Sequence, residues 1–190
     1  MVGKILLGII LLVAPTSAWA QGPAFAAVTP SAGAASEPVL LMTADDWQAL
    51  AVGAEANRIC YVAQATRARS ALGKRDTRPA LYVTHRPARQ AFDVVAFAAS
   101  YSFRRDSMAR LAFTNGPSHR LFTDDGFAWA GDEANDRRIV RALVDSSALT
   151  VTGLGTDGHL HEDTLSLNGF AAAFLRASSE CRRPGPPIRR

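Results

Sequence analysis

The 190-residue sequence has few cysteines and few histidines: two of the first and four of the second. This scarcity excludes a cysteine-rich zinc domain and a small protein held together by several disulfides. Charged residues make up 20% and hydrophobic residues 48%, a balance that excludes a wholly disordered chain and a long coiled coil. What remains is a mildly basic globular chain, with a formal charge of +4 and a length suited to one domain.

Motifs of several enzyme classes are missing as well. The sequence has no Gly-x-Ser-x-Gly, no Ser-x-x-Lys, no His-Glu-x-x-His and no phosphate loop of the Walker type. Residues 153–158 (Gly-Leu-Gly-Thr-Asp-Gly) have the glycine spacing of a dinucleotide fingerprint, but they lie between two predicted strands rather than before a helix. We therefore interpret them as a turn, and we expect no catalytic residue and no cofactor.

The first twenty residues have the three-part pattern of a secretory signal peptide. Lys4 supplies the positive charge, residues 5–14 form an apolar run, and Pro15 breaks any helix. Ala18 and Ala20 place small residues at the −3 and −1 positions, so cleavage is expected after Ala20. The apolar run is shorter than the roughly 20 residues that a membrane span requires. We expect export to the periplasm or outer envelope, with no transmembrane span in the mature chain.

The remaining chain divides by composition into three parts. Residues 21–44 begin with 18 residues of which thirteen are Ala, Pro, Gly or Ser, and they are predicted to form a flexible tether. Residues 45–181 carry the periodic hydrophobic pattern and are predicted to be the folded domain. Residues 182–190 are rich in Arg and Pro, and they are predicted to be a disordered tail whose four arginines either contact an anionic surface or are simply solvated.

The two cysteines lie near the two ends of the predicted domain. An exported protein with Cys60 and Cys181 as its only thiols has one possible intramolecular disulfide. The competing interpretation is a redox pair, which normally requires a Cys-x-x-Cys spacing. The spacing favours a structural bond between an early strand and the end of the chain.

Eight short segments are rich in β-branched and aromatic residues and are bounded by turn-forming or charged residues. They span residues 58–66, 80–85, 93–101, 110–114, 119–123, 127–130, 149–153 and 160–167. Residues 124–126 (Asp-Asp-Gly) and 155–158 (Gly-Thr-Asp-Gly) predict hairpin turns, because Asp and Gly tolerate a positive φ. The number and spacing of these segments predict a mainly β domain, either a sandwich or a barrel.

In two segments the apolar residues repeat with the period of an α-helix. Residues 132–146 place apolar side chains on one stripe, with acidic residues first and basic residues later, as the helix dipole favours. Residues 169–180 repeat apolar side chains at i, i+3, i+4 and i+7, and Asn168 is the predicted N-cap. The second helix ends at Cys181, so a bond to Cys60 would attach it to the first predicted strand.

The strongest candidate for metal binding is the alternating set His159, His161 and Asp163. Alternate residues of a strand point to the same face, and two imidazoles with a carboxylate suit a divalent transition metal. The alternative is a solvated strand face, because residues two apart on a strand are nearly 7 Å from each other.

A second candidate surface is a cluster of basic residues between two predicted strands. Such a cluster attracts anionic partners such as lipid headgroups or polysaccharides, although an ordinary charged loop has the same composition. No aromatic residue alternates with these charges, so we expect no nucleic-acid binding. The cluster consists of Arg67, Arg69, Lys74, Arg75 and Arg78.

Several motifs follow one another in a distinctive order over residues 45–181. They are Trp47, Cys60, residues 81–87 (Leu-Tyr-Val-Thr-His-Arg-Pro), 101–103, 139–143, 149–153 and 163–170 (Asp-Thr-Leu-Ser-Leu-Asn-Gly-Phe), Ala173 and Cys181. Their order resembles that of the invasion-associated locus B family. The resemblance implies an exported envelope protein of Gram-negative bacteria, in a family whose founding member is linked to entry into host cells. It also implies an immunoglobulin-like β-sandwich with a C-terminal helix and one additional helix.

We therefore expect an exported non-enzymatic envelope protein that binds an envelope or host-surface component. The alternative is a metal-dependent or hydrolytic periplasmic enzyme using His159, His161 and Asp163. A third interpretation is a structural envelope protein without a soluble ligand.

Overall fold

The computed structural model describes residues 37–54, 57–64, 78–114 and 116–184, and within them ten strands and two longer helices. The predicted signal peptide (1–20) and residues 21–36 of the predicted tether lie outside the described residues. A short 3-10 turn covers Pro87–Arg89. The helices are α1 (Glu133–Asp145) and α2 (Phe170–Glu180). The strands are β1 (Val39–Ala44), β2 (Trp47–Val52), β3 (Ile59–Gln64), β4 (Ala80–Arg86), β5 (Ala91–Ala98), β6 (Met108–Phe113), β7 (Ser118–Asp124), β8 (Phe127–Ala130), β9 (Ala148–Leu154) and β10 (Leu160–Ser166).

The strands form one sheet in the order β1-β2-β3-β4-β5-β8-β7-β6-β9-β10, and every neighbouring pair is antiparallel. Successive side chains of a strand point to opposite faces, and β9 shows the pattern clearly, since Leu149, Val151 and Gly153 are buried while their neighbours are partly exposed. In strands with this pattern one face carries the core, whereas β2 is buried on both faces. The opposite face, called the outer face below, contains the exposed alternate positions.

The two ends of the sheet approach each other. The indole Nε1–H of Trp47 in β2 donates to the carbonyl of Ser166 at 3.1 Å, and the backbone N–H of Asp46 donates to the carbonyl of Asn168 at 3.3 Å. The Trp47 ring meets the ring of Phe170 edge-on, with centroids 4.9 Å apart. The first hairpin thus packs against the end of β10, as the layers of a sandwich do. The predicted class, mainly β with a C-terminal helix and one additional helix, is confirmed.

Helix α1 begins where its sequence predicts. Asp132 is the N-cap, and its carboxylate accepts the backbone N–H of Asn135 at 2.8 Å. The apolar stripe of the helix is buried against β5 and β8. Asp136 is also buried, and its Oδ1 accepts the backbone N–H of Val95 at 2.8 Å, so the carboxylate ties the helix to the sheet.

Helix α2 begins differently from the prediction. The N-cap is Gly169 rather than Asn168, and it makes no side-chain capping bond. Gly169 has φ +86°, and a Cβ there would lie 2.0 Å from the carbonyl oxygen of Ala44. Only glycine fits this close approach to β1, which is the physical reason for the correction. The apolar face of the helix, carried by Phe170, Phe174 and two alanines, is buried as predicted.

Both predicted hairpin turns are present. Asp125 and Gly126 link β7 to β8, with Asp125 at φ 47°, and residues 155–158 link β9 to β10. The fingerprint-like glycines therefore belong to a turn, as predicted. Among the described residues, none of the helices has the length and apolar character that crossing a membrane requires.

The boundaries of the predicted domain are too narrow at both ends. The last six residues of the predicted tether, Val39–Ala44, form β1 and pair with β2, so the sheet begins before residue 45. At the other end, Arg183 of the predicted tail forms an ion pair with Asp93. Residues 185–190 of the tail lie outside the described residues. Neither end was recognisable locally, because β1 is exposed at Val39 and Leu40 and the Arg183 contact spans 90 residues.

Cys60 and Cys181 form the predicted disulfide, with their Cα atoms 5.9 Å apart. Cys60 lies in β3, and Cys181 is the C-cap of α2. The two cysteines are 121 positions apart in the sequence, so the bond attaches the end of the chain covalently to an early strand.

We expect Cys60→Ser to lower the free energy of unfolding by about 4–5 kcal/mol, because the unfolded chain regains the freedom of a long closed loop. Urea unfolding measures the loss. The variant should show one reactive thiol under denaturing, non-reducing conditions, whereas the wild type shows none. The double variant Cys60→Ser/Cys181→Ser is the control and should be destabilised equally. A reactive thiol in the denatured wild type would contradict the bond.

Candidate functional site

The three predicted metal-binding residues do not converge. His161 Nε2 lies 2.9 Å from Asp157 Oδ2, and the His161 ring stacks on Tyr101 with centroids 3.9 Å apart. His159 precedes β10 and is exposed, so it does not share a strand face with Asp163 as the alternation predicted. Among the described residues, no group of three or more His, Cys, Asp or Glu side chains is placed to hold a metal ion.

Two glycines of the segment 153–158 make room for this arrangement. A Cβ at Gly155 would lie 2.8 Å from His161 Nε2, and a Cβ at Gly153 would lie 2.3 Å from Phe103 Cε1. The glycine spacing that resembles a nucleotide motif therefore serves side-chain packing. The phenol of Tyr101 packs beside Gly153, where burial and the charge of Asp163 raise its pKa to about 12. Tyr101 is thus protonated at neutral pH.

Most of the predicted basic cluster cannot be placed. Arg67, Arg69, Lys74 and Arg75 lie outside the described residues. Arg78 is described, and it is exposed just before β4. The cluster remains a prediction.

A buried polar cluster that the sequence did not reveal lies beside the disulfide. His85 and Asp93 are 0% and 2% exposed, and the backbone N–H of Asp93 donates to His85 Nδ1 at 3.1 Å. His85 Nε2 lies 3.1 Å from Ser178 Oγ, and Arg183 binds both carboxylate oxygens of Asp93 at 2.6 and 2.5 Å. The four residues join β4, β5, α2 and the segment after α2. No local pattern predicts them, because they come from distant parts of the sequence.

This cluster contains the residue types of a hydrolase triad, but its hydrogen bonds are those of a structural cluster. Because His85 Nδ1 accepts a backbone N–H, the ring proton is on Nε2 and is donated to Ser178. A catalytic histidine has the opposite tautomer, with Nε2 accepting the serine proton. Burial lowers the pKa of His85 to about 4, so the ring is neutral at physiological pH.

The outer face of the sheet carries a row of apolar side chains, which we call the apolar ridge: Met108, Phe122 and Phe127 are exposed, and Trp129 is half-buried among them. Met108 is opposite Phe122, and Phe122 is opposite Trp129, in the register of β6, β7 and β8. The Trp129 ring stacks on Phe122 and Phe127 with centroid distances of 5.3 and 5.6 Å. Met108, Phe122 and Phe127 are 51%, 44% and 45% exposed. Large apolar side chains rarely cluster on a surface that meets only water.

Two arginines lie next to the ridge on the same face. Arg110 in β6 is directly opposite Arg120 in β7, two residues from Met108 and Phe122 respectively. Like charges at directly opposite positions destabilise a sheet. Among the described residues neither arginine forms an ion pair, and Arg110 makes only a 3.4 Å contact with Ser118. This arrangement favours an anionic partner.

The apolar ridge was not singled out from the sequence, although its strands were. A signal was present in β8, where Phe127, Ala128, Trp129 and Ala130 are apolar at both alternating positions. A short strand that is apolar on both faces is expected to be buried on both sides or to bind a partner on one. Only the tertiary structure shows that one side is exposed.

We expect the neutral, buried His85 to make the protein sensitive to acid. An unfolded histidine binds a proton below pH 6.5, whereas His85 in the fold does so only near pH 4, so stability is lost as the pH falls between these values. The loss should be roughly 2–3 kcal/mol, and His85→Gln should reduce it. Chemical unfolding measured across this pH range tests the prediction.

Asp136→Asn is the matched control, with an effect of opposite sign. Burial raises the pKa of Asp136 to about 6, so this carboxyl makes the fold less stable as the pH rises from 3.8 towards 6. Removing it should therefore steepen the acid dependence. Identical pH profiles for wild type and His85→Gln would contradict the assignment of a neutral His85.

Comparison with known proteins identifies no relative. No family model matches the chain, no curated protein matches it, and no solved structure matches it. What the protein binds therefore has to be inferred from its own residues and geometry.

Proposed function

We propose that this chain is an exported, non-enzymatic envelope protein of the invasion-associated locus B type that binds anionic lipid through its outer face. The observation that carries the lipid assignment is the apolar ridge beside Arg110 and Arg120, which form no ion pair among the described residues. The two features together match a molecule with an apolar part and a negative headgroup. The family and the export rest on the sequence pattern, namely the predicted signal peptide and the motif order between Trp47 and Cys181.

A lipid surface suits the ridge better than a polysaccharide does. Phe122, Phe127 and Met108 each keep about half of their surface in water, and burying apolar surface stabilises a complex by about 25 cal/mol per Å². A membrane has an apolar interior beneath its charged headgroups. Each arginine near an anionic membrane contributes about 1 kcal/mol to the free energy of binding. A soluble anionic polysaccharide offers only the charge.

The two sides of the apolar ridge carry charges of opposite sign. Along β7 the outer-face residues are Arg120, Phe122 and Asp124 in order, so positive charge lies on one side of the ridge and negative charge on the other. An anionic headgroup is attracted to the Arg120 side and repelled from the Asp124 side. The rival proposal, an enzyme using His159, His161 and Asp163, has no comparable support, because these residues do not converge.

The export part of the proposal is tested by N-terminal sequencing of protein from cells that express the full chain. We expect the periplasmic form to begin at Gln21 and to be oxidised. Ala20→Leu should block cleavage, because a bulky residue occupies the −1 position, whereas the matched change Ala14→Leu should not. An uncleaved, reduced protein in the cytosol would contradict export.

The lipid part is tested by sedimentation with vesicles. The mature protein should bind phosphatidylglycerol vesicles more tightly than phosphatidylcholine vesicles, and added salt should weaken the binding. Phe122→Ser should lower the affinity about tenfold through lost apolar burial, and Arg120→Gln about fivefold.

Two matched variants control for general changes in polarity and charge. Leu175→Ser removes a side chain that is 41% exposed on α2, and Arg137→Gln removes a helix arginine that pairs with Glu133. Neither should change vesicle binding. Equal binding to both vesicle types, or an equal loss in Leu175→Ser, would refute the lipid assignment. Binding to a soluble anionic polysaccharide without vesicle binding would refute it as well.

A further inference from the structure

A cleft of about 930 Å³ lies between the C-terminal half of α1 and the turn that joins β6 to β7. The helix side contributes Arg138, Arg141 and Asp145, and the turn and β7 contribute Thr114 and His119. A volume of this size is typical of sites for small molecules. The cleft is separate from the apolar ridge, because His119 and Arg120 are neighbours in β7 and point to opposite faces of the sheet.

The cleft holds two arginines that have no charge partner in the part of the chain that the structure describes. Arg138 and Arg141 are exposed and one helical turn apart, so their side chains lie on the same side of α1. Neither forms an ion pair among the described residues. Arg137, which directly precedes Arg138, pairs with Glu133 and does not line the cleft. The helix thus separates a paired arginine from two unpaired ones, and the unpaired ones face the cleft.

His119 adds a polar atom to the cleft wall. Its Nδ1 lies 3.1 Å from Asn135 Oδ1, and its ring meets the Phe113 ring edge-on at 6.0 Å, so the imidazole is held in one orientation. The other ring nitrogen, Nε2, is buried and has no hydrogen-bond partner among the residues that the structure describes. Buried polar atoms of native proteins are usually satisfied, so His119 Nε2 is an unmet hydrogen-bonding site beside the cleft.

Asp145 gives the cleft a second, opposite end. It lies one turn beyond Arg141, at the C-terminal end of α1, where the helix dipole is also negative. An anionic group is therefore disfavoured at Asp145 and favoured near Arg138. The carboxylate, together with Ser146 and Thr114, instead offers hydrogen-bond partners to hydroxyl groups.

We propose that this cleft binds a small hydroxylated organic phosphate, with its phosphate at Arg138 and Arg141 and its hydroxyls towards Asp145. Guanidinium groups match phosphate oxygens in charge and geometry, and two of them supply the specificity for an oxyanion. The proposal does not depend on lipid binding, since it rests on residues that take no part in the apolar ridge.

The test is calorimetric titration of the mature protein with glycerol 3-phosphate, inorganic phosphate and glycerol. We expect glycerol 3-phosphate to bind with a Kd of about 1 mM or below, inorganic phosphate to bind more weakly, and glycerol not to bind. Arg138→Gln and Arg141→Gln should each weaken the binding of glycerol 3-phosphate about tenfold. Asp145→Asn should strengthen the binding of inorganic phosphate about threefold, because it removes a repulsive charge.

Arg137→Gln is the matched control, because it removes the same charge from the same helix outside the cleft. It should leave the affinity within about twofold of the wild type. An equal loss in Arg137→Gln would overturn the proposal, because the effect would then reflect net charge. No binding of glycerol 3-phosphate at about 10 mM would overturn it too, whatever the vesicle experiments show.

Discussion

The disulfide between Cys60 and Cys181 attaches helix α2 to strand β3. The contacts around it serve the same purpose: Arg183 binds Asp93, and His85 donates to Ser178. Each of these pairs joins residues more than 85 positions apart, and only the disulfide also restricts the unfolded chain, because it persists when the fold is lost. Fixing α2 in this way also brings Gly169 against β1 and Phe170 against Trp47, which draws the two ends of the sheet together.

We expect binding on the outer face of the sheet because the two helices cover the inner face. Helices α1 and α2 bury their apolar stripes in the core, and the disulfide attaches α2 covalently to the sheet. The inner face is therefore occupied by the chain itself. Among the described residues, no element covers the outer face of β6, β7 and β8. There the aromatic side chains of the apolar ridge stack on one another, and two arginines oppose each other. Surface of this kind is stabilised by a partner.

The hairpin of β6 and β7 serves two proposed sites at once. Its outer positions contribute Phe122 and Arg120 to the lipid surface, and its inner positions contribute His119 to the phosphate cleft. Strand alternation makes this possible, because neighbouring residues point in opposite directions.

Short-range pattern was enough to determine the mainly β class, eight of the strands, both helices and the two hairpin turns. Residues 127–130 were predicted and observed as a strand, and α1 begins and ends within one residue of its prediction, because strand alternation, helical period and turn residues act over a few positions. The disulfide was also predictable, since only two cysteines are present. Tertiary structure alone decided that β5 pairs with β8, that His85 is a neutral donor, that His159 lies outside the strand that carries Asp163, and that Phe122 and Phe127 remain exposed. These features depend on which distant segments come together, and a local pattern contains no information about a neighbour that is remote in the chain.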